Sequence, residues 1–415
     1  MTEPPLSATG CPILHGPGFA ARPEDAYRQL RAAGPVGWAE IAPDVHALVV
    51  TRYRAARDLL NDTGTYSKDA RRWRALNEGK VPEDSPVRGL MEFRPNALYA
   101  EGERHARLRW SMDDCLARVS GHQLREITRR SAQTLISRVA ARGRADVMSD
   151  FADTLPLYVF AELLGCPDEF SARLVLACQG VINAGPEAGQ AAADLAALLG
   201  ELAGLKRQQP GQDFTSWMLG HPARLDEEEV VYQLFTTVGA GTIPTAAWMG
   251  WALRLLLRDD AYAGNLASGT LTVRRALEKA LWTKSPMANF SVHFAREDTT
   301  LHGCPIPAGV PVMISHAAAN TDPELPPDLG YESRAHLAWS AGPHRCPAVS
   351  QATTIAQTGI ETILDRLWDM ELTIPDDQIT HRHGPFHQCP VTLPVKFRPK
   401  PENGTSPSAN TPAWR

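Results

Sequence analysis

A chain of 415 residues, 43% of them hydrophobic, can bury a large core, and a net charge of −5 gives no nucleic-acid footprint. The seven cysteines (Cys11, Cys115, Cys166, Cys178, Cys304, Cys346, Cys389) are scattered without paired spacing, which argues against a disulfide framework and for a reducing compartment. No stretch approaches the roughly 18 apolar residues of a membrane span, and "MTEPPLSATGCPILHGPG" has neither the basic nor the apolar region of a secretory signal. A cytoplasmic, monomeric protein with no membrane or nucleic-acid partner is expected.

Residues 1–20 are rich in Pro and Gly and are expected to be flexible, as is the polar tail 400–415. In "GWAEIAPDVHALVVT" two short strands flank a turn at Pro43 and Asp44. Helical spacing of apolar residues follows in "RYRAARDLLND", "GERHARLRWSMDDCLARV", "HQLREITRRSAQTLISRVAARG" and "FADTLPLYVFAELLGCP". Strand-like pieces return in "DTTLHGCPIPAGVPVMIS" and "VTLPVKFRP", and no change of composition divides residues 21–399. One large, mainly α domain with small β-sheets is predicted.

The longest predicted helix, "RLDEEEVVYQLFTTVGAGTIPTAAWMGWALRLLLRDD", opens on Asp226 and Glu229 at capping-box spacing. It is apolar on nearly every face, as a helix through a domain centre should be. Its middle holds Gly239, Gly241 and Pro244, which cost about 1 kcal/mol per Gly and about 3 for Pro relative to Ala. Either a packing kink or a groove for something bulky would account for them.

Near the C-terminal end, "WSAGPHRCPA" sets Cys346 among turn-formers, just ahead of the amphipathic "AVSQATTIAQTGIETILDRL". Backbone donors and the dipole of a following helix favour a thiolate, so Cys346 reads as a nucleophile or a metal ligand, against the plainer reading of a small buried hydrophobe. The stretch resembles the haem-binding loop of the cytochromes P-450, Phe-x-x-Gly-x-His-x-Cys-x-Gly, with Trp339 at the aromatic, Gly342, His344 and Cys346 matching, and Ala348 at the last Gly. The resemblance runs from about residue 20 to 398. "HARLR" supplies His105 and Arg109, "VGAGTIPT" matches the centre of the family's distal helix, and "CPIPAGVPVMISHAAANTDP" matches the turn, strand and Ala-Asn-x-Asp-Pro segment ahead of the cysteine.

The resemblance implies the cytochrome P-450 fold, with haem b (iron protoporphyrin IX) between the long helix and the cysteine-loop helix. Cys346 would be the axial thiolate that pushes electron density toward O–O cleavage. His105, Arg109, His293, His344, Trp339 and Gly342 would hold the cofactor. Ala240, Gly241, Thr242 and Thr245 would line the reaction centre. Trp73, Met91, Ile243, Ser285, Met287, Ala288, Asn289, Phe290 and Phe386 would face substrate, with His387 nearby.

Three family motifs are altered. The Glu-x-x-Arg pair falls on Lys279 and Trp282 (Glu278 and Leu281 in the other register), and the arginine that binds a propionate falls on His293. The acid–alcohol pair that relays protons falls on Ile243 and Pro244, while Thr245 is rotated from the alcohol position by about 100°. Water, Thr242, Thr245 or the substrate must then deliver protons. His381, His383, His387 and Cys389 fit no common zinc pattern, Cys304 reads as a spectator, and "KDARRWRALNEGKVPEDSPVRG" reads mostly as a solvated face.

The implied activity is an oxidation using dioxygen and electrons from ferredoxin and ferredoxin reductase on a small aromatic molecule. Members lacking these pairs resemble, more loosely, bacterial enzymes that tailor tryptophan-containing cyclic dipeptides, so C–C or C–N radical coupling of diketopiperazine-like substrates is expected. Ordinary hydroxylation or epoxidation of a secondary metabolite is the alternative, and a haem-binding partner or sensor without turnover is the alternative of another class.

Overall fold

The computed structural model describes residues 10–182, 188–258, 270–326, 329–331 and 333–399. The expected tail 400–415 and residues 1–9 lie outside the described residues. Flexibility up to residue 20 does not hold where the chain is described. Leu14 is fully buried, its N–H donates to Glu40 O at 2.8 Å, and a short helix spans Gly16–Ala21.

The amphipathic patterns become helices Tyr53–Asn61, Gly102–Arg118, Gly121–Ser137, Leu155–Leu163 and Val349–Arg366. Strands Val36–Ala42 and Val45–Val50 pair antiparallel, and Asp44 turns between them at φ 60°. Val45–Val50 pairs parallel with Pro311–Ser315, which carries Asn289–Ala295 and then Tyr66–Ser67 antiparallel, closing a five-stranded sheet. This sheet joins chain ends more than 200 residues apart and makes the segment after it, Lys68 onward, a neighbour of His293.

The long helix runs unbroken from Glu227 to Arg258 through Pro244. Its capping box forms as predicted: Glu229 N–H donates to Asp226 Oδ1 at 2.8 Å, and Asp226 N–H to Glu229 Oε2 at 3.2 Å. The first half (Val230, Leu234, Val238) packs in one apolar cluster with Met112, Cys115 and Leu199. The second half, from Ala246 on, packs in another with Leu155, Leu277 and Ile360. Between them, Gly239–Thr245 belongs to neither cluster, and Gly239 and Ala240 are exposed halfway along a buried helix. A side chain built on Gly239 would meet nothing within 4 Å. The core is open there.

Candidate active site

The cysteine loop is held from three sides. Gly342, at φ +67° in a conformation that disfavours side chains, lies where an added Cβ would come within 2.1 Å of Leu60 O. Cys346 N–H donates to Trp339 O at 2.9 Å, closing the loop on itself. Arg109 Nη1 donates to Pro343 O (3.1 Å) and Arg345 O (2.8 Å), while its Nε is held by Asp113 Oδ1 at 2.7 Å. Ala348 replaces the expected Gly without strain, because its φ is −99°. Trp339 meets Trp248 of the long helix edge-on, with centroids 5.2 Å apart, so loop and helix converge beside the open stretch.

The thiol itself departs from the expectation of a ready thiolate. Burial pushes the Cys346 pKa up, and the Ala348 N–H, Arg109 and Arg345 only partly oppose it. A thiolate at this position therefore needs a cation on the sulfur.

The facing wall belongs to the long helix. Thr242 is 1% exposed and its hydroxyl donates to Val238 O at 2.6 Å, which removes it from the expected proton-delivering role. Thr245 is buried, and Ile243 and Pro244 are half-buried. Pro244 brings no N–H to the carbonyl of Ala240, which leaves that oxygen open to another donor. Gly241 has a packing reason: an added Cβ would lie 2.2 Å from the Phe160 ring.

Several expected substrate contacts prove to be packing residues. Trp73 and Met91 are each 1% exposed within the cluster that also holds Ala288. Ser285 is fully buried, donates to Leu281 O and accepts from Asn320. Asn289 ties strand to hairpin, with Nδ2 donating to Tyr27 Oη (3.1 Å) and Pro385 O (2.6 Å). Met287 and Phe290 stay half-buried, and Phe290 meets Phe386 edge-on at 5.9 Å. His387 bridges to Met287, whereas His381 Nδ1 is bonded to Ala20 O at 2.6 Å.

Sequence reasoning missed the contacts that fix the roof. Asn96 Nδ2 donates to Thr236 Oγ1 (2.6 Å), Ala97 N–H to Gln233 Oε1 (2.9 Å), and Gln233 Nε2 to Leu108 O (2.9 Å). Arg94 lies over the Phe235 ring at 4.9 Å. The apolar spacing of the long helix hides such polar partners, because only the tertiary fold brings residue 96 to residue 236.

A polar flank closes the site. The His105 and His344 rings meet tilted by 38° with centroids 4.1 Å apart, and no hydrogen-bond partner of either ring occurs among the described residues. Burial, then Lys68, His105 and Arg109, pull His344 down to about 2; burial and then Arg109 lower His105. His293 is buried and likewise held well below its ordinary value by burial and Lys68, and its Nδ1 is bonded to Ser291 O at 2.6 Å. Lys68, placed by sequence on a solvated face, is instead buried and donates from Nζ to Val292 O at 2.8 Å.

On the proximal side, Trp282 takes over volume and bonding at the altered Glu-x-x-Arg. Its Nε1 donates to Ser333 O at 2.8 Å, and its ring meets His336 edge-on at 5.6 Å. His336 Nε2 lies 3.5 Å from Glu278 Oε2. Lys279 instead places Nζ over the Tyr331 ring at 5.8 Å.

A half-buried thiol that needs a cation to ionise, unpartnered imidazoles near it, and a helix opened by Gly239 and Ala240 fit a haem held between loop and helix. The fold and this residue set define a haem-thiolate oxidoreductase. No family model matches the chain. It is 29% identical over 397 residues to cytochrome P450-SU2 of Streptomyces griseolus, covering 92% of this chain and 93% of the relative. It is 27% identical over 406 residues to cytochrome P450 monooxygenase PikC of Streptomyces venezuelae (94% of each chain). It is 28% identical over 397 residues to the mycinamicin IV hydroxylase/epoxidase of Micromonospora griseorubida (92% and 96%). Among solved structures, CYP154C4 of Streptomyces sp. ATCC 11861, with bound testosterone, superposes with a TM-score of 0.83 at 26% identity, over 93% of this chain and 98% of that one. The chain has the cytochrome P450 fold and is similar over nearly its whole length to cytochrome P450 monooxygenases; it is a haem-dependent oxidoreductase of the monooxygenase type. No described helix is long and apolar enough to cross a membrane.

Proposed function

We propose that this enzyme joins two aromatic units of a compact secondary metabolite, of the tryptophan-containing diketopiperazine kind, through a C–C or C–N bond. Ferredoxin and its reductase deliver the electrons. A thiolate-ligated haem supplies dioxygen activation and hydrogen abstraction, with Cys346 as the ligand and His105, Arg109 and His344 around the carboxylate edge. The balance is that of an oxidase. Two C–H or N–H bonds break and one C–C or C–N bond forms, while dioxygen, two electrons and two protons leave as two waters.

One observation carries this reading: the two relay positions on the wall facing the reaction centre offer no side-chain proton donor, and Thr245 beyond them is rotated from the alcohol position by about 100°. Ile243 and Pro244 have none, and the Thr242 hydroxyl is spent on Val238 O. Protons must come from water at the open Ala240 carbonyl, from the displaced Thr245 hydroxyl or from an N–H of the substrate. A substrate N–H held there is also the bond from which hydrogen is most easily taken, and the radical left behind spreads over its ring. Met287 and Phe290, half-buried and backed by the buried Phe386, offer an apolar bed on which a second ring can be held close, which favours coupling over oxygen transfer.

Oxygen insertion is the second reading, favoured by the relatives named as a hydroxylase/epoxidase and a monooxygenase. Turnover of tryptophan-containing cyclic dipeptides under ¹⁸O-labelled dioxygen, with ferredoxin, reductase and NADPH, separates the two. Coupling predicts a dimeric or ring-closed product without label. A labelled monomeric alcohol or epoxide as the main product overturns the coupling reading in favour of insertion.

A further inference from the structure

Lys68 follows the strand Tyr66–Ser67, whose partners across the sheet are Ala295 and Phe294, so the next residue along comes beside His293. It is 6% exposed. Its backbone N–H donates to Glu101 Oε1 at 2.8 Å, which ties it to the start of the helix bearing His105 and Arg109. Its ammonium has one hydrogen bond, to Val292 O, out of the three it can donate, and no carboxylate pairs with it among the described residues. The nearby acids are engaged elsewhere: Glu101 Oε2 accepts from Arg296 at 3.1 Å, and Asp113 holds Arg109. The Lys68 charge is felt by His105, His293, His316 and His344, and Arg109 acts on two of these rings as well; all are neutral or positive.

A buried cation with one of its three donors bonded, and with only neutral or positive groups around it, is costly unless an anion comes to it. His293 is a poor source of charge. With Nδ1 donating to Ser291 O, a neutral ring leaves only a lone pair on Nε2, which cannot donate to a carboxylate.

We propose that Lys68 supplies the charged contact to the carboxylates of the cofactor on this wall, in place of the arginine expected at position 293. The proposal rests on the haem reading above and concerns which residue of this chain anchors the group. Burial pushes the ammonium down to about 7 in the protein alone, as for a charge that awaits its counter-ion.

The test measures release of two cofactors, protohaem and its dimethyl ester, from the holoprotein to an excess of apomyoglobin. The parent should release the ester faster than protohaem. Lys68→Met should release protohaem roughly ten- to a hundredfold faster than the parent, the scale of one buried charged hydrogen bond, and should lose most of its discrimination against the ester. Lys68→Arg should restore both properties. Parent-like release of protohaem from Lys68→Met, or equal acceleration of both cofactors, overturns the proposal. Urea unfolding of the apoproteins guards against a packing effect: Lys68→Met should be at least as resistant as the parent, and lower resistance with equal acceleration marks a structural role. A parent chain that takes up neither cofactor sinks the haem reading itself, which is a separate and visible failure.

Discussion

His316 and His387 are enclosed side chains that burial holds neutral, each pulled down to about 4. In an unfolded chain imidazole titrates near about 6.5. Between these values the unfolded chain binds protons that the folded chain refuses. Their contribution to stability is therefore complete above about pH 6.5 and falls as the pH drops toward 4. The urea midpoint of the apoprotein should decline from pH 7 to pH 5, by roughly 2 kcal/mol for each histidine in free energy. His387→Gln should flatten part of that decline; an unchanged slope would show that the ring is not held neutral. Lys68 makes a related point about reading single residues. In "KDARRWR" it looks like one more surface charge, and only its position after Tyr66–Ser67 and beside Val292 shows it to be buried.

Among the elements, the cysteine loop depends on its seat against the helix Tyr53–Asn61. Gly342→Ala would set a Cβ against the Leu60 carbonyl in a left-handed backbone conformation, and the backbone on both sides has little freedom to move. The cost should be roughly 2–4 kcal/mol, measured by urea unfolding, with a parallel loss of bound haem. The proximal side rests on Trp282. Trp282→Ala, at a site 4% exposed, should cost about 3–5 kcal/mol, and Trp282→Phe about 1 through the lost bond to Ser333 O. If both variants were as stable as the parent, Trp282 would not brace the Ser333–His336 segment. The alanine-rich helix Ala188–Gln208 illustrates what spacing alone overlooks. Alanine and glycine make up much of it and leave a weak apolar stripe, so the pattern that marked the other helices does not single it out.

For the molecule as a whole, the order of elements, the long buried helix and the cysteine loop were legible, because each depends on local signals: capping-box spacing, apolar period, glycine at a turn. The altered motifs were legible as absences, but their replacements were not. Trp282 with His336, Lys68 near His293, and Asn96 with Thr236 are joined across 50 to more than 200 residues of sequence, and only packing decides them. For the same reason Trp73, Met91, Ser285 and Asn289 looked like cavity residues and became core or ties. The central claim is that Cys346 bears a haem iron as thiolate, and the reduced, carbon-monoxide-bound spectrum of the purified holoprotein measures it directly. The parent should show the long-wavelength Soret band of thiolate ligation and Cys346→Ala should lack it; a variant that keeps the band would contradict the account.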